Sequence, residues 1–158
     1  MDNGKRGVTI IALTVVIITM GILLSVVGLN LGDLVGETGV KEFASELQQL
    51  EYLINDYKTR NNGNLGFTEY TVDLSKEPAG LKTQMASEIL VGNLVTLYEI
   101  DYDKIDAMDT RYGNKQAGDK DVYLYSSNTG KVYYLLGYLY EEITYYTLTQ
   151  NLREILGM

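Results

Sequence analysis

The side chains of this chain that could do chemistry are carboxylates and phenols, because its 158 residues include neither His nor Cys. That composition excludes disulfide frameworks, Cys or His metal sites, Ser-His-Asp triads and Cys-His dyads together. The carboxylates gather in two places. Asp101, Asp103, Asp106 and Asp109 stand close together, and Asp119 and Asp121 precede a strand-like run. An EF-hand needs Gly at its sixth loop position and Glu at its twelfth. Counted from Asp101 those positions hold Asp106 and Tyr112, so the spacing excludes one. Paired carboxylates can also hydrolyse glycosidic bonds, but only across a cleft, and nothing in the pattern builds one. The acidic stretches read as solvated loops, and the chain is not expected to be an enzyme. A net charge of −8 argues against a nucleic-acid partner, which needs a basic face to displace counterions.

The phenols are the second candidate. Eleven of the 14 tyrosines lie beyond residue 90. A ladder of amphipathic rings would suit a binding face for a sugar, a peptide or a neighbouring subunit. Tyr also has high strand propensity and fills half-buried sheets. The adjacent pairs Tyr133-Tyr134 and Tyr145-Tyr146 favour the packing role, since a strand sends successive side chains to opposite faces.

The elements that must position these residues begin with an apolar run. Val8–Leu31 is 24 residues without a charge, sixteen of them Val, Ile, Leu or Met. As a helix it would rise about 36 Å, enough to cross a hydrocarbon core of about 30 Å. A chain of this size is one domain with an appendage and has no interior able to surround such a helix. The segment is therefore expected in a membrane. Lys5 and Arg6 precede it while Asp33 and Glu37 follow, which places the N-terminus in the cytoplasm and residues 33–158 outside. The run is too long for a secretory signal peptide, and no small-x-small cleavage site follows it.

The run from Lys5-Arg6-Gly7-Val8-Thr9 through Leu13, Val15, Val16, Ile17 and Gly21 resembles the N-terminus of type IV prepilins and pseudopilins. The resemblance implies cleavage by a prepilin peptidase after Gly7 and N-methylation of Val8. It also implies filament packing through Thr9, Ala12, Leu13, Val16 and Gly21. Two positions depart from the family. Val8 replaces the usual Phe or Met, and Ala12 stands where the family carries a Glu thought to pair with a neighbour's α-amino group. A carboxylate in a bilayer is costly unless a partner repays it, so Ala12 removes both cost and pairing. In the family that change implies a minor, tip-proximal subunit.

The implied whole is a pilin-like α+β fold, a long N-terminal helix packed on a small antiparallel sheet. Residues 1–7 are a leader, 8–31 a transmembrane and filament-core helix, 32–60 its amphipathic continuation, and 61–158 the head. The implied partners are the membrane, other pilin-like subunits, the peptidase and an assembly platform. The implied machine is a type IV pilus, competence or type II secretion-like filament. Some pseudopilins hold calcium in a loop near their last strands, so the resemblance makes Asp119 and Asp121 weak candidate ligands; otherwise no cofactor is expected. The rival is a monomeric, membrane-anchored ectodomain that binds a ligand through a Tyr-rich sheet.

Beyond the membrane, Gly28, Gly32, Gly36 and Gly39 weaken the helix by about 1 kcal/mol each relative to Ala and read as a joint, with a small-residue seam between packed helices as the alternative. Val40, Phe43, Leu47, Leu50, Ile54 and Tyr57 then recur at spacings of three and four, a stripe for packing on a sheet. Asn61-Asn62-Gly63-Asn64 ends that helix. Strands are expected around 70–74, 94–100, 122–125, 131–138 and 143–148. A helix is expected over 79–90, turns at 126–130 and 141–142, and a last helical turn or two over 150–156.

Overall fold

A computed structural model describes residues 36–90, 92–107 and 110–157. The leader and the 8–31 segment, and with them Gly7, Val8, Thr9, Ala12, Leu13, Val16 and Gly21, lie outside the described residues, as does Asp109. The chain divides into two compact units, Met1–Thr38 and Gly39–Met158, and the sheet belongs wholly to the second.

Residues 36–60 are helical (α1). Val40, Phe43, Leu47, Leu50 and Ile54 are all buried, with Ala44 beside them, and Tyr57 is partly buried. Each such side chain contributes at most about 1.5–3 kcal/mol relative to exposure. The opposite face carries the Asp56–Arg60 pair at 2.8 Å, half exposed at both ends and so worth little. Past the helix end, the Gly63 N–H donates to the Lys58 carbonyl (2.8 Å), a capping bond that satisfies one of the last carbonyls.

Five antiparallel strands follow in sequence order across one sheet: β1 (Thr68–Asp73), β2 (Leu94–Glu99), β3 (Tyr123–Tyr125), β4 (Val132–Tyr140) and β5 (Ile143–Thr147). Short helices α2 (Ala79–Gln84) and α3 (Gln150–Ile155) and 3-10 turns at Leu74–Lys76 and Ala86–Glu88 complete the unit. The architecture is α+β.

Strand alternation gives the sheet two apolar faces. Tyr123, Tyr125, Val132, Tyr134 and Tyr145 join the α1 stripe in one core. Leu124, Tyr133, Leu135 and Tyr146 form the other with Val72, Val95, Leu97 and, from α2 and its end, Leu81 and Met85. Tyr133-Tyr134 and Tyr145-Tyr146 thus do place one ring on each side. On the α1 side Phe43 stacks on Tyr138 with centroids 5.0 Å apart and meets Tyr112 edge-on at 5.7 Å. These arrangements add to area burial.

Two local features depart from simple expectation. The helix expected over 79–90 stops at Gln84, Met85 leaves helical geometry (φ −93°, ψ 9°), and a 3-10 turn follows. The cause is Glu88, which turns inward where Ser126 Oγ (2.6 Å), Tyr133 OH (2.8 Å) and Thr129 Oγ1 donate to its carboxylate. Ile89 and Leu90, which lie at helical spacing from Leu81 and Met85, are left at the surface instead. The β4–β5 ladder also slips register between Tyr133 and Tyr138. Gly137 sits there at φ 78°, and a Cβ on it would stand 2.6 Å from the Tyr146 ring, so only glycine fits this bulge.

Candidate functional site

The acidic residues singled out by spacing sit along the long β2–β3 connection, residues 100–122. Asp121 is buried. Its Oδ1 accepts from the Gly113 N–H (2.7 Å) and the Tyr134 hydroxyl (2.8 Å), and its Oδ2 from the Ala117 N–H (3.0 Å). The loop closes around it, with the Lys115 N–H donating to the Asp121 carbonyl at 2.9 Å and the Asp121 N–H to the Gly118 carbonyl at 3.0 Å. Burial alone pushes the Asp121 carboxyl up. The Ala117 N–H, the Tyr134 hydroxyl and the Gly113 and Gln116 N–H groups outweigh it and hold the group below the usual carboxylate range. Both oxygens are therefore committed to organising the loop. Asp119, two residues earlier, is exposed. Among the described residues no group of three or more Asp or Glu side chains is placed to hold a metal ion.

Gly113 lets the loop pass over β3. It sits at φ 72°, and a Cβ there would fall 2.2 Å from the Tyr123 ring. Beside it opens a cleft of about 840 Å³ whose lining includes Glu99, Asp101, Tyr102, Asp103, Lys115 and Gln116. Two of its three carboxylates have lysine partners, Asp101 with Lys104 (3.1 Å) and Glu99 with Lys115. The Tyr102 hydroxyl donates to the Gly113 carbonyl (2.8 Å). Burial pushes its pKa up to about 12, so the phenol stays protonated and is no base near neutrality.

The polar groups that spacing did not single out lie on α1. Glu42 pairs with Arg111. Glu46 accepts the Arg111 N–H (2.6 Å) through one oxygen and the Tyr123 hydroxyl (3.0 Å) through the other. Glu51 accepts the Val132 N–H (3.2 Å), with Arg153 at 3.9 Å. Together they tie the helix to the β2–β3 loop and to β4. The signal was available, because Glu46 and Glu51 directly flank the stripe residues Leu47 and Leu50. Among the described residues the buried Tyr125 hydroxyl has no hydrogen-bond partner, and burial raises its pKa, helped by the nearby Glu51 charge.

Burial also raises the Glu46 carboxyl above its ordinary 4.5, the N–H and hydroxyl donors only partly offsetting it. A carboxylate whose folded-state pKa is raised adds stability that is present at low pH and lost as pH rises through the folded value. Glu46→Gln keeps an acceptor for the Arg111 N–H and a donor for Tyr123. The variant should melt higher than wild type at pH 7 and show a flatter decline in melting temperature above pH 4.5. An unchanged pH profile would show that Glu46 is not desolvated. No protein-family model, no curated protein and no solved structure matches the chain.

Proposed function

We propose that this chain is a prepilin-like, single-pass membrane subunit that assembles into a filament of the type IV pilus, competence or type II secretion-like kind. Its N-terminus is cytoplasmic and its head extracytoplasmic. The observation that carries this reading is Lys5-Arg6-Gly7 immediately before the 24 uncharged residues Val8–Leu31. The burial of the 40–54 stripe against a sheet supports it, because a filament subunit needs a spine helix fixed to its head. Ala12, where the family carries a Glu, supports a minor, tip-proximal place. The rival ectodomain reading needs an open aromatic face, whereas Tyr123, Tyr125, Tyr133, Tyr134, Tyr145 and Tyr146 are all buried.

Processing tests the proposal directly. Intact-mass measurement of membrane-extracted protein should give a chain that begins at Val8 and carries an N-methyl group. A mature chain that begins at Met1, or beyond residue 25, would overturn the reading. Deleting the prepilin peptidase should leave residues 1–7 attached.

A further inference from the structure

The two edges of the sheet are protected differently. β1 carries Glu69 and Asp73, and charges on an edge strand discourage the addition of another strand. β5 reads Ile143-Thr144-Tyr145-Tyr146-Thr147, every residue β-branched or aromatic and none charged. Such a segment pairs readily with a copy of itself. Among the described residues, a side chain of α2 meets its outer edge. Gln84, the last residue of α2, donates from Nε2 to the Thr144 carbonyl (2.8 Å) and accepts the Tyr146 N–H at Oε1 (2.9 Å). These backbone groups lie on either side of Tyr145, which is itself paired with Tyr138 of β4. Because hydrogen-bonding directions alternate along an antiparallel strand, they are the groups a sixth strand would engage. The carboxamide thus occupies the place of a strand. α2 reaches it by lying close on Tyr146, where a Cβ at Gly80 would stand 3.3 Å from the ring.

We propose that Gln84 is a latch over a latent strand-addition site, and that the partner this site fits is the β5 strand of a second copy of the chain, paired antiparallel. With Tyr145 at the two-fold axis, Thr144 of each copy stands opposite Tyr146 of the other. The hydrogen bonds given up by Gln84 are then made reciprocally, as a self-complementary contact requires. The uncharged, β-branched and aromatic β5 sequence favours a like strand. The inference does not depend on the filament reading.

The test uses the full chain in detergent micelles and compares wild type with Gln84→Met, which keeps side-chain length and removes both hydrogen bonds. At low concentration the Tyr146 amide of the variant should exchange with solvent about tenfold faster than in wild type. As concentration rises about a hundredfold, the variant should form a dimer beyond any association of wild type, and Tyr146 should regain protection. Gln84→Ala should behave the same way, so a folding defect in one substitution does not decide the outcome. Gln84→Lys removes the latch but supplies an edge charge, and it should expose Tyr146 without dimerising. The proposal is overturned by Met and Ala variants that stay in the wild-type state at every concentration. It is also overturned by a dimer in which Tyr146 remains unprotected, or by a Lys variant that dimerises as readily as the Met variant.

Discussion

Leu50→Asp should remove most of the stability of the head. Leu50 is 1% exposed and lies in the stripe that α1 buries against Tyr125, Val132 and the other residues of its core. Substitution forfeits about 2–3 kcal/mol of apolar burial and places a carboxylate inside that apolar core, at a further cost of several kcal/mol. The total, about 5 kcal/mol or more, rivals the whole stability of a typical domain. Leu50→Ala, which leaves a cavity and no charge, should cost about 2–5 kcal/mol. The chain has 14 tyrosines and no tryptophan, so near-ultraviolet circular dichroism in urea follows the packed rings directly. If Leu50→Asp keeps the wild-type urea midpoint, α1 is not packed on the sheet. The tie between spine and head in the proposed function then fails with it.

What could be read from the sequence follows from where the determining contacts lie along the chain. The α1 stripe was legible because helical periodicity is written into consecutive residues, from Val40 to Ile54. The placement of Tyr133 and Tyr134 on opposite faces was legible for the same reason, with a period of two. The end of α2 was not. Leu81, Met85 and Ile89 keep helical spacing, but Glu88 is drawn inward by Ser126, Thr129 and Tyr133, between 38 and 45 residues away in sequence. Gln84 likewise meets partners 60 and 62 residues on, and Glu46 partners 65 and 77 residues on. Side-chain hydrogen bonds at such separations leave no periodic trace, so polar residues that pin one element to another read from the sequence as surface. Asp121 is the sharpest case, since the prepilin resemblance made it a weak candidate calcium ligand and the fold surrounds it with donors.

Asp121→Ala should cost about 3–5 kcal/mol, because it strips an ionised acceptor from two backbone N–H groups and a phenol in a buried loop. Asp121→Asn should be damaging too, by about 2–3 kcal/mol, since one oxygen becomes an amide that faces donors. The pH profile separates this role from others. The Asp121 carboxyl is held below its ordinary 3.8, so its contribution is present above that pH and lost as pH falls through the lowered value. Wild type should therefore lose stability steeply in strong acid, whereas the Asn variant, already weakened, should lose less over the same interval. Urea titrations from about pH 2 to 7 would display the two curves converging at the acid end. A calcium ligand behaves otherwise. Added calcium would raise the wild-type midpoint at pH 7 and leave the Asn variant where it was. Equal losses in the variant with calcium or with chelator, together with convergence in acid, are the expected result. They would assign Asp121 to holding the loop over β3.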